Sequence, residues 1–199
     1  MQRHVTDHYV KASQNQGYRA RSAYKLIELL AKKKELDDIF HKRAANILDL
    51  GAAPGSWSDA LVKRSPSLKI VALDLLPMPP LNGVCFIQAD LKDVISKQIL
   101  PRETLYDGII CDACVNLSGI QVTDRSANFE LWRAVVDILK AFSKKGGAAI
   151  MKYFESPEAK SIRQELEDLY SEVHVIKPPS SRSESAEKYF VCLKRKGEN

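Results

Sequence analysis

The 199-residue sequence contains no apolar run long enough to cross a membrane, and its first residues lack the apolar stretch of a secretory signal. We therefore expect a soluble, intracellular protein that makes no membrane contact. The sequence also contains no internal repeat, linker or low-complexity segment. This absence favours a single domain over residues 1–199.

Cysteine is scarce, with only Cys85, Cys111, Cys114 and Cys192 in the chain. All four lie in or beside apolar, strand-like runs, where a free thiol behaves as a small hydrophobic side chain. We predict buried thiols and no disulfide framework. The Cys111–Cys114 pair has the spacing of a redox or zinc motif, but no second pair or histidine cluster accompanies it, so we expect no metal site.

Positive charge is distributed unevenly along the chain, whose net charge is +5. Residues 1–43 contain ten Lys or Arg and five Asp or Glu, whereas residues 44–199 contain twenty of each kind. We predict that residues 1–43 form a basic, helical N-terminal extension that is attracted to a polyanion. The alternative is an ordinary solvated helix face.

Short apolar runs alternate with helical patterns after a predicted amphipathic helix at Ser22–Phe40. Four further helices are predicted. One starts near Ser56, two cover Leu91–Ile99 and Ser126–Phe142, and the last has Ser156 as its N-cap and Pro157 as its first residue. The predicted strands are "NILDL", "KIVALDLL", "GVCFIQAD", "YDGIICDA", "GGAAIMKYF", "VHVIKP" and "KYFVCLKRK". This alternation predicts an α/β fold with a doubly wound, mostly parallel seven-stranded sheet. Only "PPSSRSESAE" separates the last two strands, so we expect them to form an antiparallel hairpin.

Acidic residues close the first four predicted strands: Asp49, Asp74, Asp90 and Asp112. In a doubly wound sheet, ligands bind outside the carboxyl ends of the strands. Asp74 follows Gly55 by 19 residues, close to the spacing at which an acidic side chain binds a ribose diol. The loop "GAAPG" is neither an NAD fingerprint nor a P-loop, and it offers no lysine for a phosphate. S-adenosylmethionine, with an adenosine and two cationic groups, fits this pattern.

The chain resembles the FtsJ-like ribose 2′-O-methyltransferases that act on large-subunit ribosomal RNA. The resemblance runs from about Tyr9 to Lys194 and rests on "GYRARSAYKL", "DLGAAPGSWS", "ALDLLPM", "IICDACVNLSG", "IMKYF" and "SSRSESAEKYFV". It implies a Rossmann-like methyltransferase fold, S-adenosylmethionine as donor and a uridine ribose of ribosomal RNA, free or in the assembled large subunit, as acceptor. We expect a monomer in the cytoplasm or, alternatively, the mitochondrion.

The same resemblance implies the site residues. The family's catalytic tetrad falls on Lys25, Asp112, Lys152 and Glu187, and its donor contacts fall on Gly55, Trp57, Asp74, Asp90 and Asp112. Trp57 is expected to border the pocket for the amino-acid end of the donor. Two stretches depart from the family pattern: Asp112–Asn116 lacks the usual proline, and "YFESPE" follows Lys152 in place of a glycine-containing stretch.

The chemistry of in-line methyl transfer depends mainly on holding the attacking oxygen in place. We assign Lys152 as either a base or a donor that stabilises the oxyanion, Asp112 as its orienting partner, and Lys25 and Glu187 as substrate-positioning groups. Candidates for RNA phosphate contacts are Arg19, Arg21, Arg182 and the lysines at 32–34. Two other hypotheses remain open: a non-catalytic RNA-binding or assembly factor, and an NAD-dependent oxidoreductase.

Overall fold

The computed structural model describes residues 8–115, 121–182 and 184–197, which form a seven-stranded sheet with helices on both faces. The helices are α1 (His8–Asn15), α2 (Ser22–Ala31), α3 (Lys34–His41), α4 (Ser56–Arg64), α5 (Gln121–Phe142) and α6 (Pro157–Leu169). The strands are β1 (Asn46–Leu50), β2 (Lys69–Asp74), β3 (Val84–Gln88), β4 (Tyr106–Cys111), β5 (Ser143–Phe154), β6 (Tyr170–Ile176) and β7 (Glu187–Arg195). No helix among these described residues is long and apolar enough to cross a membrane.

The strand order is β3-β2-β1-β4-β5-β7-β6. Strands β1 to β5 pair in parallel, and β7 is antiparallel to both β5 and β6. The predicted doubly wound sheet and its C-terminal antiparallel hairpin are therefore confirmed. From β1 the chain builds outwards to β3, then returns to add β4 on the other side. This reversal between β1 and β4 leaves a crevice at their carboxyl ends, where sheets of this kind bind ligands.

Two apolar cores separate the layers. One packs α5 and α6 against one face of the sheet through side chains such as Leu48, Trp132 and Phe190. The other packs α2, α3 and α4 against the opposite face through side chains such as Leu29, Phe40 and Ile110. Because successive strand residues point to opposite faces, neighbouring positions enter different cores. This alternation fixes which side chains can meet at the carboxyl edge.

The predicted single helix at Ser22–Phe40 is wrong, because the structure contains two helices, α2 and α3. The backbone is extended at Lys33, with φ −139° and ψ 115°. The apolar spacing continues across the break, which is why the sequence pattern favoured one helix. In that spacing, position 33 would be buried, but it is occupied by the middle one of three consecutive lysines. A continuous helix would bury this charged group at a high cost in free energy.

Three further expectations need correction. The predicted helix at Leu91–Ile99 is only a 3-10 turn at Leu91–Asp93, and α5 begins at Gln121 rather than Ser126. Strand β5 begins at Ser143, three residues before the predicted run.

The start of α6 is confirmed, since the hydroxyl of Ser156 accepts a hydrogen bond from the N–H of Ala159.

The four cysteines are free thiols, but only two are buried. Cys111 and Cys192 lie inside the core, whereas Cys85 and Cys114 are exposed, contrary to the prediction. Cys85 lies on β3, an edge strand of the sheet, and Cys114 lies in the loop after β4. An apolar run therefore did not guarantee burial at the sheet edge.

Candidate active site

The glycine loop after β1 forms one wall of the candidate site. Gly51 and Gly55 have φ values of +70° and +97°, a region that side chains with a Cβ rarely adopt. A Cβ at Gly51 would lie 2.4 Å from the Cβ of Ala113, so this loop contacts the loop that follows β4. Both positions therefore require glycine, as a close approach of backbone segments predicts.

Asp74, at the end of β2, ties this wall to the next loop. One carboxylate oxygen accepts a 2.8 Å hydrogen bond from the N–H of Ala53, and the other accepts a 2.8 Å bond from the N–H of Leu76. The carboxylate is only half-buried, so it keeps open acceptor positions for a ribose diol. Asp90 lies two residues beyond β3, where its side chain accepts from the N–H of Lys92 and caps the 3-10 turn. The predicted contacts of Asp74 and Asp90 with the methyl donor stay predictions.

A cleft opens between the glycine loop and the end of β4, and its lining includes Asp49, Trp57 and Asp112. Trp57 is buried rather than exposed, and its ring N–H donates to the carbonyl of Ser22 at 2.9 Å. Trp57 thus borders this cleft and also fixes the start of α2, while its place beside the amino-acid end of the donor stays a prediction.

The floor of the cleft is acidic. Burial, with the nearby carboxylates of Asp112 and Asp74, raises the pKa of Asp49 to about 7, although a hydrogen bond from the hydroxyl of Ser58 acts to lower it. That hydroxyl donates to Asp49 at 2.6 Å. Carboxylates that repel one another favour a positively charged ligand.

These observations fit S-adenosylmethionine. The acidic floor suits its ammonium and sulfonium groups, Asp74 can accept from its ribose, and the glycine loop permits close backbone approach.

The four residues of the implied tetrad form two ion pairs. Lys25 on α2 lies 2.6 Å from Glu187 at the start of β7. Lys152 on β5 lies 3.2 Å from the carboxylate of Asp112 and also donates to the backbone carbonyl of Asp112. The Lys152 side chain is only 7% exposed. The structure therefore joins residues that are up to 162 positions apart in the chain.

The alternation of strand residues explains why these groups face the same side. Met151 and Tyr153 enter the core under α5 and α6, so Lys152 between them points to the face covered by α2. Glu187 shares that face with Tyr189, two residues further along β7. A shift of one residue in either strand would place these charges in an apolar core.

The pKa of Lys152 lies above its usual value. Burial acts to lower it, but the carboxylate of Asp112, with Cys114 and Glu187, outweighs the burial. The ammonium is therefore protonated at neutral pH before substrates bind. This direction opposes the lowered pKa that a lysine base requires and favours a hydrogen-bond donor.

Tyr189 is a site residue that sequence reasoning missed. It lies opposite Lys152 in the β5–β7 register, and its hydroxyl donates to Asp112 at 2.7 Å. Asp112 therefore receives both an ammonium and a phenol. Only the register between two strands that are distant in the chain could have revealed this contact.

Glu28 is a second residue that the sequence analysis overlooked as a site component. Its Oε2 accepts hydrogen bonds from the N–H and the hydroxyl of Ser180, at 2.8 and 2.6 Å, and its Oε1 accepts from Tyr9. The loop between β6 and β7 is thereby held against α2. Lys25 pairs with Glu187 at the end of the same loop.

The three arginines that we predicted to contact RNA lie in different environments. Arg21 donates to the carbonyl of Ser180 and lies over the ring of Tyr9, while the nearby Arg182 is exposed. Burial lowers the pKa of Arg21, and the positive charge of Arg182 lowers it further. Arg21, just before α2, and Arg182, on the β6–β7 loop, therefore place two cations close together, and their contact with RNA stays a prediction.

Arg19 contacts the two loops beside the cleft, and its predicted contact with RNA stays a prediction. Its guanidinium donates to the carbonyls of Pro54, Pro79 and Pro80 at 2.9, 2.7 and 2.6 Å. Three of the five N–H donors of the guanidinium are thus directed at the backbone of these two loops. Asn116, in the altered turn noted above, lies outside the described residues.

Known proteins provide a comparison. A model of the FtsJ-like methyltransferase family matches residues 18–195. Ribosomal RNA large subunit methyltransferase E of Neisseria meningitidis is 37% identical over 194 residues, covering 94% of this chain and 91% of that protein. The protein of the same name from Methylobacillus flagellatus is 37% identical over 202 residues, covering 98% of this chain and 94% of that protein.

Solved structures agree with the sequence relatives. A ribosomal RNA methyltransferase from Plasmodium falciparum has a TM-score of 0.76 at 30% identity, covering 91% of this chain and 100% of that one. Human methyltransferase-like protein 13, in complex with SAH, has a TM-score of 0.62 at 15% identity, covering 87% of this chain and 82% of that one, and shares the fold. Because the family match spans both donor loops and all four members of the two ion pairs, the chain belongs to the FtsJ-like methyltransferase family.

Proposed function

We propose that this protein transfers a methyl group from S-adenosylmethionine to a ribose 2′-hydroxyl of large-subunit ribosomal RNA, on a uridine. The observation that carries the proposal is the pair of ion pairs, Lys25–Glu187 and Lys152–Asp112, beside the glycine-loop cleft. The names of relatives at 37% identity support ribosomal RNA as the substrate class. Under this proposal the protein acts as a cytoplasmic monomer on RNA that is free or within the large subunit.

The donor side of the site is built from the glycine loop, Asp74 and Asp112. S-adenosylmethionine supplies an electrophilic methyl group on a positively charged sulfur. Asp74 would accept hydrogen bonds from the ribose diol, and the acidic floor around Asp49 would face the cationic groups. Trp57 closes the inner wall of the cleft.

The acceptor side is built from the two lysines and their carboxylates. A protonated Lys152 can donate a hydrogen bond to the attacking ribose oxygen and stabilise the negative charge that develops on it as the hydroxyl proton passes to solvent. Asp112 and Tyr189 limit the positions that the Lys152 ammonium can take. Lys25, held by Glu187 and 14% exposed, is placed to contact the substrate from the α2 side.

The experiment compares single-turnover methylation by the unaltered protein, Lys152→Met and Lys144→Met. Large-subunit ribosomal RNA and isolated subunits are the substrates, with labelled donor. Loss of one positioned proton-transfer or oxyanion-stabilising group typically lowers the rate by about 10²- to 10⁴-fold, so we expect such a loss for Lys152→Met. Lys144 lies on the same strand and pairs with Asp107 at the opposite end of the sheet, so its variant should keep the rate.

The outcomes separate the hypotheses. Donor binding without methylation by the unaltered protein on any ribosomal RNA substrate would favour a non-catalytic RNA-binding factor. A Lys152→Met variant that methylates within a few-fold of the unaltered protein would remove Lys152 from the catalytic group. Mapping the modified nucleotide tests the uridine ribose directly.

A further inference from the structure

Arg19 joins two separate loops from outside the cleft. Its Nη1 donates to the carbonyls of Pro54, in the glycine loop, and Pro79, in the loop after β2. Its Nη2 donates to the carbonyl of Pro80. These carbonyls belong to segments that are 25 residues apart in the chain, and the lining of the cleft does not include Arg19.

The two loops are the two walls that the donor would contact. Asp74 connects them from inside by accepting from Ala53 and Leu76, whereas Arg19 connects them from outside. The packing between Arg19 and the walls is close. A Cβ at Gly55 would lie 2.9 Å from the Nη1 of Arg19 and 2.9 Å from the sulfur of Met78.

The backbone on both sides of Arg19 is itself anchored to α4. The ammonium of Lys63 donates to the carbonyl of Gly17 and lies 4.6 Å from the ring centre of Tyr18. The ring N–H of Trp57 donates to the carbonyl of Ser22. Arg19 is therefore presented to the two walls by a fixed segment, and its guanidinium has a defined position.

We propose that Arg19 is a positioning residue for the donor pocket, which holds the glycine loop and the Leu76–Pro80 loop at the spacing that the methyl donor requires. This inference rests on the proposed function, since it assigns a role toward the same donor. It replaces the expectation that Arg19 contacts an RNA phosphate. Arg19 acts through backbone carbonyls and does not touch the reacting atoms.

The two roles for Arg19 predict different measurements. Removal of a phosphate contact lowers RNA affinity and reduces the slope of log affinity against log salt by about 0.7 for single-stranded RNA. Removal of a clamp between the donor walls weakens donor binding and leaves that salt slope unchanged. Donor affinity and the salt slope, measured on the same variants, therefore distinguish the roles.

The experiment uses Arg19→Met, Arg19→Lys and the control Arg102→Met. Calorimetry measures the affinity for S-adenosylhomocysteine, and titrations at several salt concentrations measure the affinity for a ribosomal RNA transcript. For Arg19→Met we expect donor affinity to fall about tenfold, with a matching rise in donor KM, a smaller change in kcat and an unchanged salt slope. The donor affinity of Arg19→Lys should lie between those of the unaltered protein and Arg19→Met, because a single ammonium cannot reproduce the planar guanidinium that bonds three carbonyls. Arg102 is exposed in the segment before β4, at the opposite end of the strands from the donor loops, so its variant should bind the donor normally.

The outcomes distinguish the positioning role of Arg19 from the proposed function. Normal S-adenosylhomocysteine affinity in a folded Arg19→Met, or a reduced salt slope with unchanged donor affinity, overturns the positioning role while the proposed function stands. No binding of S-adenosylhomocysteine by the unaltered protein overturns the proposed function and the inference together. If Arg19→Met does not fold, Arg19→Lys keeps the charge and supplies the same comparison.

Discussion

At the residue scale, the ionisation of the Asp49 carboxyl group depends strongly on its surroundings. It is 1% exposed, and burial, with help from Asp112 and Asp74, raises its pKa to about 7 from a usual 3.8. In the unfolded chain the same group ionises near pH 4. Between these two values ionisation favours the unfolded state, so the contribution of Asp49 to stability falls as pH rises from about 4 to about 7 and is level above that.

We predict that Asp49→Asn removes this pH dependence. The free energy of unfolding of the variant, relative to the unaltered protein, should increase between pH 5 and pH 8 by about 2–3 kcal/mol, because the variant has no carboxyl group to ionise. Urea denaturation of both proteins at pH 5 and pH 8 measures this difference in the free energy of unfolding. Asp93→Asn, at an exposed turn beside Lys97, is the control and should show a much smaller change. Equal pH profiles for Asp49→Asn and the unaltered protein would mean that Asp49 is ionised in the folded state at pH 5.

At the scale of elements, α2 and the loop between β6 and β7 act as one unit. Glu28 accepts two hydrogen bonds from Ser180, and Lys25, one turn earlier on α2, pairs with Glu187. The loop carries Arg182 between these two contacts. The spacing of Lys25 and Glu28 also allowed a local ion pair within the helix, but both residues bond across to the loop instead.

We predict that Glu28→Ala lowers the single-turnover rate by about tenfold to a hundredfold, because a loop that is displaced by about 1 Å no longer aligns Glu187 and Lys25. Donor affinity should stay within a few-fold, since Glu28 does not contact the donor walls. Glu28→Gln keeps one oxygen that can accept from Ser180 and should restore part of the rate. Glu35→Ala, an exposed glutamate on α3, is the matched control. A normal rate in Glu28→Ala would show that the loop keeps its position without this contact.

At the scale of the whole molecule, the excess positive charge lies within residues 1–43, whereas residues 44–199 are neutral. The described part of this region forms α1, α2 and α3. Deleting residues 1–20 would test its attraction to RNA poorly, because the deletion also removes Arg19 from the donor walls. Charge must therefore be removed at exposed positions that keep these contacts.

We predict that changing Lys11, Lys32 and Lys34 together to glutamine lowers RNA affinity at low salt and flattens its salt dependence. The slope should fall by up to about 2, because each lysine that no longer neutralises a phosphate lowers it by ~0.7. The control is the set Lys97, Lys140 and Lys160, three exposed lysines outside this region, changed in the same way. If both triple variants show the same decrease in affinity and slope, the basic N-terminal region has no special part in RNA binding.

The sequence by itself determined the α/β class, the seven strands and the position of the ligand edge. Local patterns carry this information, since apolar runs, Ser156 with Pro157 and the acidic strand ends each depend on a few neighbouring residues. The same patterns were wrong at Lys33 and over Leu91–Ile99, where the apolar spacing continues but the helix does not. The family motifs also supplied the four residues of the ion pairs.

Only the tertiary structure decided how those residues act on one another. The register between β5 and β7 brings Tyr189 to Asp112 and sets the balance of burial and carboxylates that raises the pKa of Lys152. The packing of the N-terminal segment against α4 directs Arg19 to the donor walls. These results depend on distances between segments far apart in the chain, and pKa shifts and hydrogen bonds follow such distances rather than sequence spacing.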